Sequence, residues 1–132
     1  GDELAGVPPT ANPVEALRRL AEAFRQFVVA NPVLAQIMFS RPFADFDPTT
    51  EDNRAGAKVR KIFDHHVQVA VDAGLIAGDP TDIAHVFFAF AEGLAAAESA
   101  QRLGTSKRSV DRRWRLGLDV LIKGLSPGPA AA

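Results

Sequence analysis

Residues 85–98 read HVFFAFAEGLAAAE, an almost wholly apolar run with one carboxylate, Glu92, beside Gly93 in its middle. A carboxylate in such a setting has two uses. It can be a polar anchor in an apolar pocket, its pKa raised by desolvation or matched to a cationic ligand. It can also pair with a cation such as an arginine of a neighbouring helix, or reach water at the rim of an interface. Three histidines accompany it. His65 and His66 are adjacent, so on a helix they point about 100° apart and do not readily share one metal ion. His66 falls on an apolar stripe, where it is either a hydrogen-bonding group facing a pocket or a satisfied core histidine. A metal site from His66, His85 and Glu92 is conceivable, but their spacing does not require one. Ser40, Ser99, Ser106, Ser109 and Ser126 have no adjacent histidine and no glycine elbow, so no nucleophile–base pair is visible and the chain does not read as an enzyme. No glycine-rich phosphate loop or cofactor motif is present.

Lys107, Arg108, Arg112, Arg113 and Arg115 form a basic cluster. It suits either anion or nucleic-acid contact or a solvated face pairing with acids such as Glu98 or Asp111. The second fits better, because no aromatics other than Trp114 interleave the cations. Trp114 lies in an apolar seam as a core or interface anchor, and its indole N–H requires an acceptor if buried.

The elements that position these residues are helical throughout. The length, 132 residues, suits one domain with one core. Fifteen cations against sixteen acids leave no overall basic footprint for nucleic acid. With no cysteine, disulfides and thiolate chemistry are excluded. The start has no signal-peptide pattern, and no apolar run reaches the length of about 18 residues that crosses a bilayer. The expected location is cytoplasmic, with no membrane partner.

Residues 1–12 and 126–132 read as flexible ends around one unit, 13–125. Asn12-Pro13 opens a first helix whose apolar stripe includes Leu17, Leu20, Ala21, Phe24 and Val28. Arg18, Arg19, Glu22 and Arg25 are assigned to its solvated side. Asn31-Pro32 opens a short second helix. A loop with Phe43 and Phe46 follows. Thr49 and Asp52 resemble a capping box for a long third helix, with Val59, Ile62, Phe63, His66, Val69 and Ala70 on its apolar stripe and Gly74 at its end. Asp79-Pro80-Thr81-Asp82 is a strong start signal for a fourth helix running to Leu103-Gly104. A fifth begins near Thr105 or Ser106 and ends about Leu125. Val110, Trp114, Leu118, Leu121 and Leu125 form its seam, with Leu116 and Val120 beside it.

The fourth helix is apolar nearly all round, so it must be covered nearly all round. Its phenylalanines suit a cavity or core wall. Its alanines, leading to Ser99 and Arg102, suit a neighbouring helix at close range, that of a partner subunit.

The order ANPVLAQIMFSRP, VDAGLIAGDPTDIAH, FFAFAEGLAAAE, RRWRLGLDVLIKGLSP resembles the C-terminal regulatory domain of TetR (tetracycline-repressor-like) transcriptional regulators, over about residues 12–127. The acidic–Pro–x–Asp start and the ending LDVLIKGLSP are its most specific parts. The resemblance implies an all-α domain of five to six helices, the last two pairing with their copies in a homodimer as a four-helix interface. It implies a pocket among the first, third and fourth helices for a small apolar or amphipathic effector, and no cofactor. The pocket residues would be Leu20, Phe24, Phe27 and Met38, then Ile62, Phe63 and His66, and from the fourth helix Phe87, Phe88, Ala91 and Glu92. The dimer seam would use Ala95, Ser99, Arg102, Val110, Trp114, Leu118 and Leu121.

Two departures from the family stand out. The family reads DNA through an N-terminal helix-turn-helix, and the residues before Pro13 are too few and lack a basic recognition helix. This chain is therefore expected to reach DNA only through a domain it does not contain. Some relatives also carry His-Gly where Glu92-Gly93 stands, which alters any inherited ligand preference. A helical bundle that oligomerises without a small-molecule ligand is the alternative.

Overall fold

The structure, a computed structural model, describes residues 12–39 and 50–127, with side chains described except at 38–39 and 50–57. The side chain of Met38, the loop with Phe43 and Phe46, and the Thr49–Asp52 box lie outside the described residues. Five α-helices and no strand occur among the described residues: α1 (Pro13–Ala30), α2 (Pro32–Phe39), α3 (Thr50–Asp72), α4 (Pro80–Ser99) and α5 (Lys107–Leu125). The all-α class follows directly.

Three helix starts have a clear local cause. The Asn12 side chain accepts from the Val14 N–H at 2.8 Å, and Pro13 supplies a helical φ without an orphan donor. Asp79 accepts from the Asp82 N–H at 2.9 Å, again followed by proline. Ser106 and Ser109 form a reciprocal capping box at the start of α5.

The ends of α3 and α4 share one device. At α3, Gly74 has φ 75°, its N–H donates to Val71 O, and the Leu75 N–H reaches back to Ala70 O. These are the paired bonds of a Schellman closure. At α4 the same pair runs from Gln101 to Glu98 O and from Arg102 to Ala97 O, with Gln101 at φ 57°. The fourth helix therefore ends at Ser99 rather than running to Gly104. A glutamine occupies the left-handed position usually given to glycine. Gly104 serves a different contact. Its φ is 147°, and a Cβ there would stand 2.3 Å from Arg113 Nη1 and 2.6 Å from Ser109 Oγ.

α4 is the central element and packs against each of the other four helices. Its buried face is Ile83, Ala84, Phe87, Phe88, Ala91 and Ala95. α1 contributes Leu17, Leu20, Ala21, Phe24 and Val28 to the same core. α3 contributes Val59, Phe63, Val67 and Ala70. The α3 stripe is thus turned from the sequence reading: Val67 is fully buried and Val69 is 39% exposed. The spacing 59–63–67–70 keeps one side of a helix facing α1 and α4, and Val69 falls off that row. α5 lays Val110, Trp114, Leu118 and Ile122 into the core. At the crossing of α4 and α5, a Cβ on Gly117 would lie 2.9 Å from Phe90 Cζ, so only glycine lets that ring sit where it does.

Candidate functional site

Two constellations stand out, one aromatic and one ionic. The aromatic one is drawn from α1, α3 and α4. Phe24 and Phe63 meet edge-on with ring centroids 6.0 Å apart. Phe88 lies 5.0 Å from Phe63 and 5.6 Å from Phe24. Phe87 lies 6.1 Å from Phe63. Edge-to-face and tilted contacts at these distances set positive ring edges against negative faces.

Of the residues named from sequence as pocket-lining, Leu20, Phe24, Phe63, Phe87 and Ala91 are fully buried, and Phe88 nearly so. They pack into one core cluster. Phe27, Ile62, His66 and Glu92 are half-buried at its margin. Phe90 and Leu94 approach Gly117 of α5. Glu92, two residues from each, projects from the opposite side of α4.

His66 has its pKa lowered by burial and, secondarily, by neighbouring His65, whose ring centroid is 5.4 Å away. The unfolded chain then binds a proton at a higher pH than the folded one. Stability from this group is intact above the unfolded value, near 6.5, and falls as the pH drops below it. Thermal unfolding followed from pH 7.5 to 5.5 should show a declining Tm, and His66→Gln should flatten that decline. An unchanged slope in the variant would contradict the assignment. The third histidine is elsewhere: His85 Nδ1 sits 2.8 Å from Thr81 O of its own helix. Among the described residues no group of three His, Cys, Asp or Glu side chains is placed to hold a metal ion.

The ionic constellation joins α1, α4 and α5. Arg25 is only 7% exposed. Its Nε and Nη2 donate to the two Glu98 carboxylate oxygens at 2.9 and 3.0 Å, a bidentate fork. Nη2 also donates to Asp111 Oδ1 at 2.8 Å. Trp114, fully buried, donates its indole N–H to Glu98 Oε1 at 2.9 Å. The guanidinium carbon lies 5.3 Å from the Trp114 ring centroid, within cation–π range. Hydrogen bonding to Glu98 drives the Arg25 pKa far above its ordinary value, so it stays charged at every accessible pH. The Arg25 hydrogen bond holds Asp111 below the usual carboxylate range, with help from Lys107.

This hub corrects one reading. Arg25, assigned to the solvated side of the first helix, is buried. The sequence signal was present, since Ala21, Arg25 and Val28 stand at i, i+4 and i+7 on one row. Its carboxylate partners are Glu98 and Asp111. The basic cluster follows its solvated reading in part: Lys107 pairs with Asp111, while Arg113 donates to Leu103 O at 2.7 Å.

The residues named for a dimer seam divide. Ala95, Val110, Trp114 and Leu118 are buried in the protomer's own core. Leu121 is half-buried, and Ser99 and Arg102 are exposed. The exposed large apolar side chains of the last two helices are Val86 on α4, 53% exposed, and Leu116 and Val120 on α5, 61% and 63% exposed; Val29, Val33 and Ile37 are exposed on α1 and α2. The reason is geometric. α5 carries eight large apolar side chains, and the row of Val110, Trp114, Leu118 and Ile122 is the one that faces the core.

The domain is thus all-helical, with a central helix and an aromatic core against α1 and α3. The sequence matches the family model "Tetracyclin repressor-like, C-terminal domain" over residues 17–121. The chain belongs to that family. It is similar to a solved structure described as a protein with unknown function from Rhodococcus sp. RHA1, with 25% identity and a TM-score of 0.79. The match covers 96% of this chain and 65% of that one, so this chain spans under two thirds of that protein's length. No curated protein matches the sequence. Among the described residues no helix is long and apolar enough to cross a membrane.

Proposed function

We propose that residues 13–125 form the effector-binding and dimerisation unit of a TetR-like transcriptional regulator, acting in the cytoplasm on DNA through a helix-turn-helix domain not contained in this chain. The observation that carries the reading is the exposure of the apolar side chains Val86, Leu116 and Val120 on the last two helices. Small residues Ala89 and Gly93 on the outer side of α4 allow a partner helix to approach closely. The interface is thus the face opposite the Trp114 row, and the partner is a second copy of this chain.

The effector is small and apolar or amphipathic. It enters at the half-buried margin marked by Phe27, Ile62, His66 and Glu92 and parts the rings behind it. Ligand selects a conformation in which α1 and α3 are displaced, and the displacement changes the spacing of two DNA-reading domains. The close packing of the four phenylalanines favours the other reading, a bundle that dimerises and takes no ligand.

Sedimentation equilibrium and a thermal-shift screen separate these. Wild type should be a dimer, and Leu116→Asp with Val120→Asp a folded monomer. An apolar effector at about 100 times its Kd should add about 2.7 kcal/mol of stability. A dimer that responds to no member of an apolar panel supports the plain bundle. A wild-type monomer overturns the dimer interface.

A further inference from the structure

A cleft of ≈ 410 Å³ lies between α1 and α5, on the other side of Arg25 from the aromatic core. Four of its lining residues are cations: Arg18, Arg25, Lys107 and Arg115. Two are carboxylates, Glu22 and Asp111, and no phenylalanine of the aromatic cluster takes part. We propose that this cleft is a second binding site, for a small oxyanion carrying two or more negative charges.

The floor carries the argument. Arg25 is more than nine-tenths buried, yet only its Nε and Nη2 have acceptors. Among the described residues no fully buried side-chain nitrogen lacks a partner. Nη1, with no hydrogen-bond acceptor among the described residues, is therefore not fully sealed from solvent, and Arg25 lines the cleft. The guanidinium is held rigid by Glu98, Asp111 and Trp114, so an anion meets a donor that is already oriented.

The walls reinforce this. Arg115 has no carboxylate partner among the described residues. Lys107 is 89% exposed at its side chain and spends one contact on Asp111, at 3.3 Å. Arg18 uses Nη1 on Asp119, leaving Nε and Nη2 available. Asp111 is bonded by both Arg25 and Lys107, as Arg25 is by Glu98 and Arg18 by Asp119, so Arg115 is the lining cation whose charge is unspent. The surrounding stretch from Arg102 to Lys123 holds seven cations and two carboxylates in a chain whose total is -1. This field draws an anion toward α5 rather than to the rest of the surface. Glu22 is the one opposing charge without such neutralisation, and it limits affinity.

This site is independent of the dimer and of the apolar effector. The test is calorimetric titration of the intact chain with citrate and, separately, inorganic pyrophosphate, each at ionic strength held constant with sodium chloride. One equivalent should bind per chain. Arg115→Gln should weaken binding by about fivefold, as expected for a partly exposed charged hydrogen bond. Glu22→Gln should tighten it. Both residues are exposed, so both variants should keep the wild-type Tm. Binding of citrate alone marks a carboxylate site, pyrophosphate alone a phosphate site, and both a site reading charge. Binding of neither, or equal affinity in wild type and both variants, overturns the proposal.

Discussion

Phe63→Ala is expected to cost about 4 kcal/mol of folding stability. Phe63 is fully buried and touches Phe24, Phe87 and Phe88, so of the four phenylalanine pairs in the core the change leaves only Phe24–Phe88. Each pair adds about 0.5–1.5 kcal/mol beyond the area it buries. The remaining rings come from two helices, α1 and α4, and cannot collapse into the void without moving a backbone. Against a total of about 5–15 kcal/mol for a domain, such a loss threatens folding at body temperature. Chemical denaturation should show the midpoint shift with little change in slope, while Phe63→Leu should retain most of the stability. A loss for Phe63→Ala below about 1 kcal/mol would mean that the four rings do not share one dry core.

The second large effect centres on Glu98. Glu98→Ala removes the acceptor of two Arg25 nitrogens and of the Trp114 N–H at once. Arg25 cannot discharge, because its proton is held at every accessible pH, and Asp111 alone must balance it. The Trp114 N–H is left in a fully buried site with no partner. The expected cost is about 3 kcal/mol, dominated by stranded groups rather than by the lost attraction. A double-mutant cycle isolates the indole share. In a Trp114→Phe background no N–H remains to be stranded, so Glu98→Ala should cost about 1 kcal/mol less. Equal costs in both backgrounds would show that the indole bond contributes nothing.

Much of this arrangement is legible from residue types and spacing. Asn12-Pro13 and Asp79-Pro80 announce their helices because a cap needs one side chain and three positions, all local. The phenylalanines of α4 required a core wall, and Phe87 and Phe88 supply it. What escaped the reading is non-local or conformationally unusual. Gln101 ends α4 in a left-handed conformation that composition does not announce, so Gly104 drew the boundary five residues too far. Arg25 looks solvated until its partners are known, and those partners lie 73 and 86 residues away. α5 carries apolar residues on two rows, and sequence alone does not say which row faces inward. Trp114 and Leu118 went in, and Leu116 and Val120 stayed out.

Trp114 is the chain's only tryptophan, and there is no tyrosine. Its ring stands where α1, α4 and α5 meet, with a guanidinium over its face and a carboxylate on its N–H. The ultraviolet emission of the whole molecule is consequently the emission of this one junction. A loosening of α1 from α5 would expose the indole to water and move its spectrum to longer wavelength, before any helix had melted. The protein thus carries a built-in optical gauge of that joint, readable without labels.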